Sequence, residues 1–302
     1  MTTNNVPVTG IQSTVQLPIA EWDKTPGRDS QETALAALED GKVLFFPQLA
    51  FALTGAEGRF LTPDLVGDSK NVSYSFASRK IGHCACSDAD KPAVAEMMHR
   101  FCGQAKALVE NLLPAYKAGL TMGRASLRPV EAAGRAQSWR KDDTRLHVDS
   151  FPTTPLNGKR ILRVFSNVNP SGRPRSWRLG EPFEQVAARF ATAVRPPTPA
   201  ALMLMQLFRI TRGRRSLYDH YMLGLHDAMK SDDNYQRTCP QSTFDFPALS
   251  TWAVFTDSVP HAVTAGQHQF EQTFYLDVDG MAQPEKSPLR ILEKQLGKSL
   301  RN

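Results

Sequence analysis

Thr144-Arg145-Leu146-His147-Val148-Asp149-Ser150 sets an imidazole and a carboxylate two residues apart. On a strand, residues i and i+2 point to the same face, so His147 and Asp149 can hold one metal between them. A third ligand must then come from far along the chain. His261 can supply it, in Asp257-Ser258-Val259-Pro260-His261-Ala262-Val263, a turn running into a strand-like stretch. Joining these two places requires a fold that returns a remote strand to the same rim. Two histidines and one carboxylate on one side of a metal, with other positions open, form the donor set of non-haem Fe(II) oxygenases. His-x-Asp alone is a weak motif; its setting at a strand opening gives it weight.

Other histidines compete poorly. His220 and His226 fall on different faces of the helical stretch Ser216–Met229. His268 lies in the polar turn Ala265-Gly266-Gln267-His268 and is expected to be solvated. His99 belongs to the flank of a core helix. His83-Cys84-Ala85-Cys86 is metal-like in composition but lacks a second ligand pair at zinc spacing.

Periodicity supplies the frame. Ser30 can cap a short helix over Gln31 to Glu39 that ends at Gly41, and Lys42 to Leu49 reads as a buried strand. A further strand is expected around Val72 to Phe76. Val94, Met98, Phe101, Ala105, Leu108 and Leu112 fall on one helical face, which predicts a helix from Pro92 to Leu113 packed on one side of a sheet. From Ser126 onward strand-like runs alternate with turns: Ser126–Val130, Arg145–Ser150, Arg160–Val168, Thr251–Asp257 and Phe270–Val278. A helical insertion, Pro182–Ala193 and Pro199–Met229, divides them. Such an order suits an α+β fold, a double-stranded β-helix (jelly-roll barrel) with flanking helices. Residues 1–120 are expected as an N-terminal α/β elaboration. Residues 121–302 would form the core, with the insertion at about 182–230, in one structural unit.

Hydrophobic residues at 41% and charged residues at 22% describe an ordinary globular chain. Met1 to Gly10 shows no basic start followed by an apolar core, so Cys84, Cys86, Cys102 and Cys239 are expected as reduced thiols in a cytoplasm. The net charge of +6 is partly local: Arg173, Arg175 and Arg178 cluster, as do Arg209, Arg212, Arg214 and Arg215. Such clusters suit phosphate or carboxylate groups. Nucleic acid is a poor partner, because the clusters lack interleaved aromatics.

The residues resemble the Kdo hydroxylase family, Fe(II)- and 2-oxoglutarate-dependent dioxygenases that act on the lipopolysaccharide inner core. The likeness runs from His147-Val148-Asp149 through Ser150-Phe151-Pro152, Gly158-Lys159-Arg160-Ile161-Leu162-Arg163-Val164-Phe165 and Asn167-Val168-Asn169-Pro170. It continues in Pro174-Arg175-Ser176-Trp177-Arg178-Leu179-Gly180-Glu181-Pro182-Phe183 and Tyr218-Asp219-His220-Tyr221-Met222-Leu223, then in His261-Ala262-Val263 and Glu271-Gln272-Thr273-Phe274. Val43-Leu44-Phe45-Phe46-Pro47 and Asn71-Val72-Ser73-Tyr74 are similar too. The resemblance implies hydroxylation of C3 of 3-deoxy-D-manno-oct-2-ulosonic acid (Kdo) on Kdo-lipid A. Fe(II) would be held by His147, Asp149 and His261, with 2-oxoglutarate and O2 as co-substrates and succinate and CO2 as products. It also implies a cytoplasmic protein, peripheral to the anionic inner membrane of a Gram-negative bacterium.

Many members of the wider superfamily hold the co-substrate's remote carboxylate with an Arg roughly ten residues after the distal His. Here that neighbourhood reads Phe270-Glu271-Gln272-Thr273-Phe274. Arg163, on the strand after the motif, is the expected substitute, since its fork matches a carboxylate. Asn167 lies on the same strand face, whereas Arg160 lies on the other. Gln272 and Thr273 point to opposite faces, so at most one of them lines the pocket. Arg175, Trp177, Arg178, Arg212 and Arg215 are the expected contacts to the acidic glycolipid. Two other readings stay open from residues alone: a jumonji-type hydroxylase of protein side chains, and a non-catalytic barrel that binds acidic glycolipid.

Overall fold

The computed structural model describes residues 13–135, 137–197 and 215–301. Eleven strands form two sheets among these residues. The larger has the order β1-β2-β9-β6-β11-β5-β3-β4, and the smaller β10-β7-β8. In chain order the strands are β1 (Thr14–Gln16), β2 (Val43–Phe46), β3 (Val72–Tyr74), β4 (Ile81–Gly82), β5 (Leu120–Arg128), β6 (Arg160–Asn167), β7 (Arg175–Gly180), β8 (Gln241–Phe246), β9 (Ser250–Phe255), β10 (His261–Ala265) and β11 (Gln269–Leu276). The helices are α1 (Arg28–Glu39), α2 (Lys91–Leu112), α3 (Phe183–Phe190), α4 (Leu217–Ser231), α5 (Asp233–Thr238) and α6 (Pro288–Leu296). The two sheets face one another but do not close into a barrel. The N-terminal strands join the same large sheet, so that part of the chain extends the core sheet.

Strand alternation divides the apolar residues between two layers. Leu44, Phe46, Leu162, Val164, Ala253, Phe255, Phe270 and Phe274 face the helix side. Val43, Phe45, Phe165, Trp252 and Val254 face inward and meet Trp177, Leu179 and Phe246 of the small sheet. The helix expected over Pro92–Leu113 is α2, and its predicted stripe is buried throughout. Phe101 is its anchor, with ring centroids 5.3 Å from Phe51 and 5.0 Å from Phe270. Burying one such ring contributes about 1.5–3 kcal/mol.

Several boundaries differ from the sequence reading. β5 starts earlier than Ser126 and pairs with both β3 and β11. Arg145–Ser150 is not a regular strand; only an isolated bridge from His147 to His261 remains. β7 stands where the sequence showed an arginine cluster, and its burial alternates: Arg175, Trp177 and Leu179 are buried, Ser176 and Arg178 less so. Of the insertion, α3 and α4 are seen. α4 starts at a capping box, in which Ser216 Oγ accepts from Asp219 N and the Asp219 carboxylate accepts from Ser216 N. The run Pro199–Phe208, with Arg209, Arg212 and Arg214, lies outside the described residues. No helix among the described residues is long and apolar enough to cross a membrane.

One buried ion pair fixes the turn before His261. Arg160 donates from Nε to Asp257 Oδ2 at 2.7 Å and from Nη2 to Ser258 Oγ at 2.8 Å, with its guanidinium 3.9 Å from the Phe255 ring centre. Both charged side chains are almost wholly shielded from solvent. Arg160→Ala is therefore expected to lower stability by about 3–5 kcal/mol, because Asp257 is left charged and buried. A urea titration with an unchanged slope and a lower midpoint would show it.

Candidate metal centre

The centre starts from the backbone. His147 N–H donates to His261 O at 3.1 Å, and His261 N–H donates to His147 O at 2.9 Å. This reciprocal pair binds the motif segment to the start of β10. Asp149 is placed by its own N–H, which donates to Thr256 O at 2.8 Å. The result is that one atom from each of His147, Asp149 and His261 lies within 4.8 Å of the others.

The rings are aimed by their inner nitrogens. His147 Nδ1 donates to Arg145 O at 2.7 Å and His261 Nδ1 donates to Val259 O at 2.9 Å. A carbonyl can only accept, so each Nδ1 carries the proton and each Nε2 keeps its lone pair. Trp177 stacks on His261, with centroids 5.2 Å apart and planes 22° apart. Behind them, Gly180 N–H donates to Pro260 O at 2.8 Å. A Cβ on Gly180 would stand 2.9 Å from Pro260 Cβ, so this approach requires glycine.

The electrostatics favour ligand protonation states. Burial, together with His261 and Lys230, pushes the His147 imidazole well below its ordinary range. Burial lowers His261 as well. Burial alone would raise Asp149, but the Arg163 guanidinium and the two imidazoles hold its carboxyl far below the usual carboxylate range. Two neutral imidazoles beside an ionised carboxylate suit a divalent cation. Asp149 Oδ2 is buried, lies 3.1 Å from Arg163 Nη2, and accepts no well-aligned hydrogen bond. The donor set and this orphaned oxygen fit Fe(II).

The chamber around the trio is lined by Arg128, Asp143, Arg163, Phe165, Arg175, Trp177, Val263, Gln269 and Glu271. Arg163 is already engaged: Nη2 lies near Asp149, and Nη1 lies 2.9 Å from Glu271 Oε1. Glu271 also receives Arg128 Nε at 3.1 Å. Arg175 differs. It is 4% exposed, its Nη1 donates to Gly266 O, and its Nε has no partner. Burial and the neighbouring Arg128 push it down to about 9.

Other expected site residues fall elsewhere. Thr273 stands across from Arg163 in the sheet register and shares the inner face with Glu271. Gln272 is on the helix side, donating from Nε2 to Gly123 O at 3.2 Å. Asn167 clamps the turn after β6, donating from Nδ2 to Arg173 O at 3.0 Å and Phe246 O at 3.1 Å. Trp177 is 1% exposed, so it packs inside rather than offering a surface ring. Arg178 points away from the chamber and donates to Thr144 O at 2.7 Å and Gln241 Oε1 at 3.1 Å. Arg215 donates to Pro152 O, and Arg212 lies outside the described residues.

Sequence reasoning missed Arg128, Asp143 and Gln269 in the wall. It also missed His226, whose ring centre is 5.4 Å from that of His147. His268, expected to be solvated, is 5% exposed: its backbone takes φ 60°, and its carbonyl accepts from Val168 N, which folds the turn inward. Parity with Thr273 along β11 was the signal for Gln269, whereas Arg128 at the end of β5 and Asp143 outside the strands had none.

Comparison with known proteins gives concordant results. The profile of a family described as 3-deoxy-D-manno-oct-2-ulosonic acid (Kdo) hydroxylase matches residues 21–299. A solved structure of the Kdo hydroxylase KdoO with cobalt(II), described as a non-haem Fe(II) α-ketoglutarate-dependent dioxygenase, is 48% identical. The match covers 96% of this chain and 98% of that one, with a TM-score of 0.94. The same hydroxylase with α-ketoglutarate and Fe(III) matches at 48% identity, 96% and 97% coverage, and a TM-score of 0.93. A form with succinate and Fe(III) matches at 47% identity, 96% and 98% coverage, and a TM-score of 0.93. No curated protein sequence matches.

His147→Ala and Asp149→Ala are each expected to weaken cobalt(II) binding by more than about 100-fold, since even residues that merely support a ligand are worth about 10–100-fold. Titration followed by the visible cobalt spectrum, with far-ultraviolet circular dichroism as the control for folding, measures this. Unchanged affinity in either variant would remove that residue from the ligand set.

Proposed function

Because the chain belongs to the Kdo hydroxylase family, whose solved member is a non-haem Fe(II)/2-oxoglutarate-dependent dioxygenase, we propose that it adds a hydroxyl to C3 of Kdo carried on lipid A. The observation that carries the reading is the His147–Asp149–His261 cluster inside a cation-lined chamber. When bound, Fe(II) with 2-oxoglutarate and O2 supplies the oxidising chemistry, which yields succinate, CO2 and one oxygen atom inserted into a sugar C–H bond.

The chain's own residues bind, orient and shield. His147, Asp149 and His261 present three donors on one side and leave the other side open to co-substrates. Arg163 holds Asp149 in place and keeps it ionised. Arg175 is the better cation for the remote carboxylate of 2-oxoglutarate: it is buried, faces the chamber, and has no carboxylate at ion-pair distance among the described residues. Phe165, Trp177 and Val263 keep water from the interior. Thr273 shares the strand face of Glu271 and is the one of the pair assigned to the co-substrate side, whereas Gln272 lies on the helix side. The net charge of +6 suits reaction at the anionic cytoplasmic face of an inner membrane, where a lipid substrate resides.

Anaerobic reconstitution with Fe(II), followed by O2, 2-oxoglutarate and Kdo-lipid A, tests the reading by mass spectrometry. One oxygen gained in the Kdo unit per succinate formed is the expected result; succinate without lipid oxidation would sink the substrate assignment. Arg175→Gln is expected to raise the KM for 2-oxoglutarate by about 10- to 100-fold, the worth of one charged hydrogen-bonded pair. Arg163→Gln is expected to weaken metal binding more than co-substrate binding. The reverse pattern would return the anchor to Arg163.

A further inference from the structure

Cys84 and Cys86 flank Ala85 in the bend that leaves β4, and their sulfurs stand 2.8 Å apart. The bend begins at His83, whose φ of 57° lies in the left-handed region. Both side chains are half-buried against the main core. Among the described residues the metal centre itself is the only trio of His, Cys, Asp or Glu donors gathered within 4.8 Å. The two sulfurs thus have no third donor of that kind, whereas thiolate metal sites close around the ion with four. Two thiols in contact without further ligands form a dithiol, and the chemistry open to a dithiol is oxidation to a disulfide.

The surroundings divide the work between the two sulfurs. Lys91, the first residue of α2, keeps a cation beside the pair: Asp88 chiefly, and the two sulfurs in smaller part, hold its ammonium up. A neighbouring cation favours thiolate. Burial and the Cys84 sulfur push the Cys86 thiol up to about 11. Cys86 therefore keeps its proton while Cys84 reacts, and it ionises more readily once Cys84 has lost its charge. Cys102 and Cys239 are buried, and burial pushes the Cys102 thiol up to about 12, the setting of an inert structural thiol.

We propose that Cys84 and Cys86 form a thiol–disulfide switch, which a low-molecular-weight disulfide such as oxidised glutathione closes and whose closure stiffens the segment carrying Lys70. The Cys84 thiolate attacks one sulfur of the small disulfide, and one glutathione leaves as its thiolate. Cys86 then attacks the Cys84 sulfur, the protein disulfide forms, and the second glutathione leaves. The two protein thiol protons end on the two glutathiones, so both cysteines are oxidised and one small disulfide is reduced. Excess reduced glutathione runs the same steps backward, as it does for exposed rather than deeply buried disulfides.

Two links carry the effect toward the metal chamber. Ala85 N–H donates to Leu65 O at 2.8 Å, and Ser69 Oγ lies 3.2 Å from His83 Nδ1. The next residue, Lys70, donates to Lys141 O at 2.6 Å and lies 3.4 Å from Asp143 Oδ2. Asp143 in turn lines the metal chamber. Closing the ring over Ala85 removes conformations from the bend, and the Leu65–Lys70 segment bonded to it loses freedom with it.

The test treats the Fe(II)-loaded full chain with oxidised glutathione in the absence of O2, then with excess reduced glutathione. Mass spectrometry of the peptide spanning both cysteines is expected to show the loss of two hydrogens, regained on reduction. Hydrogen exchange at the Ser69 and Ala85 amides, both bonded within this segment, is expected to slow by about fivefold or more in the oxidised form. Cys86→Ser is expected to stop with glutathione held on Cys84, and Cys84→Ser to react at least about tenfold more slowly than the unaltered chain. Stable glutathione on Cys84 of the unaltered chain would overturn the proposal, as would oxidation at Cys102 or Cys239 in place of the pair. Closure that leaves both amides unchanged would do the same. So would zinc that co-purifies with the chain and leaves when Cys84 and Cys86 are alkylated, since the pair would then be a ligand set. The mass and exchange readouts use the unaltered chain, so they decide the matter even where a serine variant misfolds.

Discussion

The exchange of backbone hydrogen bonds between His147 and His261 is the constraint on which the site depends. Two ligands far apart in sequence become neighbours because each donates its N–H to the other's carbonyl. Everything nearby reinforces that exchange. The Gly180 N–H holds the Pro260 carbonyl, Trp177 covers His261, and Arg160 clamps Asp257 and Ser258 at the start of the same turn. Metal geometry is thereby set by strand pairing and a buried ion pair. Such supports hold ligands more tightly than a loop could.

The interior between the sheets is unusual in its charge. Arg128, Arg163 and Arg175 share it with Asp143, Asp149 and Glu271, in a space where desolvation penalises every one of them. Their pairing is incomplete by design of the strands: Arg163 and Arg128 meet Glu271, while Arg175 meets only a carbonyl. A purely structural core would replace such groups with apolar ones at little cost or some gain. Their retention makes sense if a divalent cation and anionic ligands complete the balance. The folded state is then stabilised by whatever occupies the site, through the same mass action that links binding to folding.

Much of this was legible in the sequence. The helix over α2 and the strands β2, β6, β9 and β11 follow from periodicity, because each carries apolar residues at regular spacing on at least one face. The metal trio was readable from the His-x-Asp motif and a later His after a turn. β7 was not, since its inward positions Arg175 and Trp177 do not alternate as apolar against polar; a functional demand overrides the hydrophobic pattern there. His226 escaped because helical faces say which residues share a side, not which side meets the metal. Asn167 was placed on the right strand and Arg178 only in an arginine cluster, but local partners engage both side chains, and such partners have no signature in sequence. The closed barrel was an inference from fold analogy, and the described chain has two facing sheets instead.

Glu271 explains how the charge came to be arranged this way. It stands ten residues after His261, at the place where an anchoring arginine was expected. A carboxylate there would repel 2-oxoglutarate if left alone. Here it is flanked by Arg128 and Arg163, which occupy both of its oxygens at 3.1 and 2.9 Å. Arg163 in turn passes its remaining charge to Asp149. β11 thus presents a neutralised pair, and Arg175 on the facing sheet has no carboxylate partner among the described residues. An acid at this position is compatible with an anionic co-substrate only because two arginines from neighbouring strands reach it first. Removing either would expose negative charge to the ligand, and removing Arg163 would weaken the hold on the metal carboxylate as well.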